Sequence, residues 1–162
     1  MKRVLLAMGV LLFCQACGSG TEEVDQRMNT MTQQDAMNRV EDYVHRAVGV
    51  LPKEARLEAV SPLAADPCDD PTDNGPKGRV FATNNYWVRG LAKDKSREYL
   101  DSLVKWWRDN RFTGPLDSWD KAGFVVMENQ DNGFRMRFQD GGSGLLSIGA
   151  SSPCVWPNGK PT

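Results

Sequence analysis

Histidine is almost missing: the 162 residues contain one, His45. A histidine-based triad would have to use it. It follows the apolar Val44 and precedes Arg46 on a helical pattern, where a solvent-facing histidine is the simpler reading. No Gly-x-Ser-x-Gly elbow accompanies any serine, which removes the usual strand-to-helix nucleophile of the α/β-hydrolases. Zinc has no ligand set, because there is one histidine and the cysteines lack ligand spacing. No run of lysines or arginines occurs and the net charge is −1, which argues against a nucleic-acid partner, since such partners demand a basic face. The apolar run Val4 to Phe13 is about ten residues and cannot cross a ~30 Å hydrocarbon core as a helix. No repeat appears at solenoid periods.

What is present is ordinary globular composition, with 40% apolar and 25% charged residues in a length that suits one domain with appendages. The start reads as an export signal: Lys2 and Arg3 form a positive n-region, Val4 to Phe13 an apolar h-region, and Ala16 is a small residue before a cut. Residues 1–16 are therefore predicted to be removed. In LLFCQACGSG, Ala16 and Cys17 resemble the last two positions of a bacterial lipobox, while Cys14 stands where leucine is usual. Cleavage before Cys17 makes that thiol the first residue, available for diacylation. The alternative is an unacylated secreted protein cut at the same place.

Cysteine parity bears on that choice. Cys14 leaves with the signal, so the mature chain keeps Cys17, Cys68 and Cys154. Three thiols are awkward in an oxidising compartment. Acylating Cys17 leaves Cys68 and Cys154 to pair with each other. Gly18-Ser19-Gly20-Thr21 suits a flexible leash, so residues 17–33 are predicted to be a tether, 34–157 the domain and 158–162 a disordered tail. Loss of Lys2 and Arg3 takes the net charge from −1 to −3. Glu22, Glu23 and Asp25 would be repelled by an anionic lipid surface, which favours a raised domain.

From Gln33 to Leu51 the pattern is helical, with Met37, Val40, Val44, Val48 and Leu51 on one stripe and Pro52 ending it. Arg56 to Ser61 is predicted to be a short strand. The segment 61–76, with four prolines and four aspartates, is predicted to form no regular element. A disulfide from Cys68, in its middle, to Cys154 would close a loop of roughly 85 residues. Arg79 to Val88 reads as a strand. A second helix is expected over about 94–110, capped by Asp94 or Ser96, with Leu100, Leu103, Val104 and Trp107 inward.

The last third reads as a β-meander. Gly123 to Gln130 pairs with Phe134 to Gln139 across Asp131-Asn132-Gly133, whose Asn-Gly suits a tight hairpin, and Leu145 to Ala150 follows. Phe134, Met136 and Phe138 alternate with Arg135, Arg137 and Gln139, the mark of a half-buried strand with one wet, basic face. The element order predicts an α+β two-layer sandwich, an antiparallel sheet with two main helices on one face and one disulfide. The Arg135/Arg137 face is then either plain solvent-exposed surface or a binding surface.

Candidate chemistry is sparse. Asp66, Asp69, Asp70 and Asp73 supply hard oxygen ligands suited to Ca²⁺. Counted from Asp70, Thr72, Asn74 and Gly75 fall at EF-hand offsets, but Phe81 stands where the closing glutamate belongs. A solvated turn with Asx geometry is the simpler reading, and no metal or cofactor is expected. Asp117 and Asp120 flank Trp119 at a spacing compatible with a carboxylate pair, the basis of a hydrolase alternative. Five tryptophans favour binding over catalysis: Trp106 and Trp119, with Arg135 and Arg137, form the candidate binding surface, and a tryptophan beside Asn84 and Asn85 can stack on a sugar or anchor a protein.

GPKGRVFATNNYWVRG after a cysteine-containing Pro/Asp loop, and SIGASSPCVWP near the end, together with the acylatable cysteine, resemble the small uncharacterised lipoproteins of actinobacteria such as streptomycetes. The resemblance spans about Met37 to Pro157. It implies an address on the outer face of the cell membrane and a Cys68–Cys154 bridge. It carries no activity to transfer. The expectation is therefore a non-enzymatic binding domain for an envelope protein or cell-wall glycan, with an envelope hydrolase or a structural envelope component as alternatives.

Overall fold

The computed structural model describes residues 31–60, 62–68, 77–115, 119, 122–142 and 144–161. Cys17 and the signal segment, Asp69, Asp70 and Asp73 of the acidic loop, and Asp117 and Asp120 lie outside the described residues.

Helix α1 spans Gln33–Val48. Thr32 caps it, its hydroxyl oxygen accepting from the Asp35 amide at 3.1 Å, so one of the first-turn donors that a helix cannot satisfy internally is paired. The helix ends before Leu51. Val50 and Leu51 donate back to the carbonyls of Ala47 and Val48, tightening the exit into i→i+3 turns ahead of Pro52. The buried line is Ala36, Val40, Tyr43, Val44 and Ala47, rotated slightly from the expected stripe. Met37 and Val48 fall on its half-buried rim. The two alanines let the helix lie close to the sheet, which places its bulk at Tyr43.

Helix α2, Ser96–Asp109, follows a 3₁₀ turn at Lys93–Lys95 and buries Tyr99, Leu100, Leu103, Val104 and Trp107. Neither Asp94 nor Ser96 caps it. The N-cap position is Lys95, whose side chain makes no capping bond. The 3₁₀ turn does part of that work, the Lys95 amide bonding the Ala92 carbonyl at 3.3 Å.

Seven strands form one antiparallel sheet among the described residues: β1 Arg56–Ala59, β2 Ala64–Pro67, β3 Val80–Arg89, β4 Phe112–Thr113, β5 Phe124–Asn129, β6 Arg135–Asp140 and β7 Leu146–Ser151. The order is β1-β3-β7-β6-β5-β4, and β2 shares with β1 the outer edge of the long β3. Strand β2 corrects the expectation that the Pro/Asp segment forms no regular element. Proline removes one ladder donor, which an edge strand tolerates, and Pro67 sits at the last paired position opposite Val80. The two-residue β4 was also unforeseen.

The meander is present, but its first hairpin is longer than the tight Asn-Gly turn expected. Asn129 and Phe134 close it (Asn129 N to Phe134 O, 2.7 Å), and Gly133 alone within it takes a positive φ, +70°. Asn132 uses its side chain instead, donating to the Tyr43 hydroxyl at 2.8 Å and tying the hairpin to α1.

Both helices lie on one face of the sheet. Tyr86 of β3 reaches Glu41 of α1, and the Trp107 indole of α2 donates to Met136 Sδ at 3.1 Å. Even-numbered residues of β3, β6 and β7 and odd-numbered ones of β5 fill the core: Ala82, Val88, Met136, Phe138, Ile148, Ala150, Val125 and Met127. The result is the α+β sandwich with a Cys68–Cys154 disulfide. That bridge joins the end of β2 to the segment after β7, with 6.0 Å between the Cα atoms.

Candidate binding face

The pleat sends every second side chain to the face that neither helix covers. The register arranges these side chains in three rows. Trp87, Ser147, Gln139 and Phe124 form one; Asn85, Gly149, Arg137 and Val126 form the middle one; Thr83, Ser151, Arg135 and Glu128 form the third.

Arg137 dominates the centre. It is half-buried, and its Nη2 donates to the carbonyl of Asn84, two strands away, at 3.1 Å. It can lie across β7 only because residue 149 is glycine. A Cβ there would stand 3.0 Å from Arg137 Cζ and 2.6 Å from the Asn84 carbonyl oxygen. Burial pushes the guanidinium pKa down, the direction expected when a cation loses water without gaining a counter-charge.

Two other arginines of this face have carboxylate partners. Arg135 Nε contacts Glu128 at 2.7 Å. Arg89 holds Glu58 through two bonds of 2.9 and 3.1 Å, and its guanidinium lies 5.6 Å from the centre of the Trp87 ring. The Arg89 hydrogen bond keeps the Glu58 carboxyl below its ordinary pKa. Among the described residues Arg137 has no such partner. Across Gly149 in the same row, the Asn85 side-chain oxygen is buried and accepts no hydrogen bond. An acceptor left in that condition costs ~1–3 kcal/mol. On the opposite flank, a shallow depression of about 260 Å³ is lined by Phe124, Val126, Arg135, Met136, Arg137 and Ser151.

The expected binding residues do not share one surface. Arg135 and Arg137 are on this face, but both tryptophans are on the helix side. Trp119 is buried and stacked on Phe138, ring centroids 5.5 Å apart and 13° from parallel. Trp106 is half-buried between Phe112 and the Arg46 guanidinium, 5.5 Å from the latter. Trp107 and Trp156 are buried. Trp87 is the tryptophan that accompanies the arginines. Alternation along β3 carried that signal, since it separates Asn84 from Asn85 and groups the latter with Trp87.

Asn84 faces the helices and links the two sides of the sheet. Its amide oxygen accepts from the Ala150 amide at 2.9 Å, and its Nδ2 donates to Glu41 at 3.2 Å. Glu41 also receives the Tyr86 hydroxyl, 2.8 and 2.7 Å from its two oxygens. His45 is exposed, 3.6 Å from Glu41. Burial, and then the hydrogen bond to Glu41, push the Tyr86 pKa up to about 12. Of the acidic-loop residues, Asp66 is exposed on β2.

No helix among the described residues is long and apolar enough to cross a membrane. No family model, no curated protein and no solved structure matches the chain.

Proposed function

We propose that the chain is a membrane-anchored extracytoplasmic lipoprotein, acylated at Cys17, whose domain is a non-enzymatic binding module for a protein or cell-wall component. The observation that carries this reading is Arg137: a half-buried arginine with no carboxylate partner among the described residues, at the centre of a sheet face that neither helix covers. A charge deprived of water and of a counter-ion is stabilised by any ligand that supplies one. The lipobox-like Ala16-Cys17 and the Gly/Ser leash support the anchor.

Two measurements test the two halves of the proposal. The intact mass of the mature protein is expected to include a diacylated Cys17; an unmodified Cys17, or a different N-terminus, refutes the anchor. The immobilised domain is expected to retain a component of envelope extract or cell-wall fragments. Binding should also shift tryptophan fluorescence, and the shift should be lost in Trp87→Phe because Trp107, Trp119 and Trp156 are buried and Trp106 lies on the helix side, between Phe112 and Arg46. No retention and no shift would remove the binding reading.

A further inference from the structure

We infer that the row Asn85–Gly149–Arg137 is the recognition point for a carboxylate-bearing sugar of an acidic cell-wall glycan, with Arg137 donating to the carboxylate and a sugar hydroxyl donating to Asn85 Oδ1. This deepens, and rests on, the assignment of the open sheet face as the binding surface.

Three features select the ligand. The first is a pair of unmet needs in one row, on either side of Gly149: a guanidinium with one hydrogen bond, to the Asn84 carbonyl, and an amide oxygen with none, buried in the free protein and opened to a ligand by a turn of the Asn85 side chain. A plain anion would serve Arg137 and leave Asn85 orphaned. A sugar acid carries a carboxylate acceptor and hydroxyl donors on one ring and can serve both.

The second is size and shape. The depression of about 260 Å³ beside Arg137 is below the ~300 Å³ at which drug-sized ligands are ordinarily enclosed, and it is open. On the side of Arg137 away from Asn85, it admits a neighbouring unit of a polymer whose chain continues across the flat face. Ser151, Thr83 and Gln139, at neighbouring row positions, are neutral hydrogen-bonding residues of the kind that hydroxyl-rich chains use.

The third is what the face lacks. Tight protein interfaces centre on large apolar or aromatic anchors. Among the described residues the exposed large apolar side chains are Val50, Val60 and Leu145; Val60, whose amide donates to the Asn85 carbonyl at 2.9 Å, and Leu145, just before β7, border the face, and none is aromatic or stands beside Arg137. Trp87 is half-buried beside Arg89, which leaves it suited to flank a sugar ring more than to fill a partner's pocket.

The test uses the full mature chain and three probes of stated composition: trigalacturonic acid, its methyl ester, and a triglutamyl peptide. Trigalacturonic acid is expected to bind, with an affinity that falls as salt rises, and the ester and the peptide at least about tenfold more weakly. Arg137→Gln should lose about tenfold or more in affinity, and Asn85→Ala a few-fold, each with its thermal unfolding midpoint checked. Arg111→Gln, whose guanidinium pairs with Asp131 away from this row, should bind as the parent does.

Equal binding of acid and ester, equal binding by Arg137→Gln, or preference for the peptide overturns the sugar-acid assignment. Retention on cell-wall fragments separates this failure from failure of the wider reading. If retention is lost in Trp87→Ala and Arg137→Gln while trigalacturonic acid does not bind, the open face stands and the sugar acid falls. If retention is unchanged in both variants, both proposals fall.

Discussion

Tyr86 and Glu41 provide the most quantitative handle on how the helix layer is fastened to the sheet. The phenol is pushed up to about 12 from an ordinary value near 10, first by burial and then by its bond to the Glu41 carboxylate. A raised folded-state value means that folding favours the protonated phenol. The stability it contributes is fully present below pH ~10 and disappears as pH rises from ~10 through ~12. Two units correspond to ~2.7 kcal/mol. Tyr86 is only partly shielded from water, so screening reduces the usable amount to ~1 kcal/mol.

Urea denaturation at a series of pH values should therefore show the parent losing ~1 kcal/mol more than Tyr86→Phe between pH 10 and 12. Phenolate absorbance offers a direct view, because the chain has three tyrosines. The last to ionise should vanish in Tyr86→Phe. In Glu41→Gln, which keeps an acceptor oxygen and removes the charge, that transition should move down but stay above the ordinary value, since burial is the larger cause. A last transition that survives Tyr86→Phe, or is unmoved by Glu41→Gln, refutes the account.

The other predictions concern single contacts. Cys68→Ser or Cys154→Ser opens a bridge spanning 86 residues and should cost ~4 kcal/mol less any native strain, read as a lower urea midpoint; an oxidised protein no more stable than its reduced form would refute the estimate. Gly149→Ala sets a Cβ 2.6 Å from the Asn84 carbonyl and should cost ~1–3 kcal/mol while displacing Arg137, with the arginine Nε–H resonance as a second readout; unchanged stability would mean that β7 yields more easily than the sheet register implies. Trp107→Ala empties a fully buried site and removes the donor to Met136, for a loss of ~3–5 kcal/mol by thermal unfolding; a loss under ~1 kcal/mol would show the site collapsing around the cavity.

Much of the fold was legible because it is local. Leu100, Leu103, Val104 and Trp107 recur at helical spacing and are all buried, and Phe134, Met136 and Phe138 alternate with residues on the wet face. Periodicity depends only on neighbours along the chain, so it survives without knowledge of what the face packs against. The α1 stripe was displaced because alanines count little in a hydrophobic pattern yet are preferred where a helix lies close to a sheet. Strand β2 was missed because proline speaks against strands in general and is silent about edges.

Cysteine counting, helical periodicity and alternation, read in the sequence alone, point to the Cys68–Cys154 bridge, the two helices and the basic face of β6. Only the tertiary structure decides what that face contains. It moves Trp119 onto Phe138 and away from the arginines, brings Trp87 and Asn85 alongside them, and rests Arg137 on Gly149. The contact that holds Arg137 joins residues 53 apart in the chain. Such a contact is set by strand order and register, which arise when the whole sheet assembles, and no short stretch of sequence contains them.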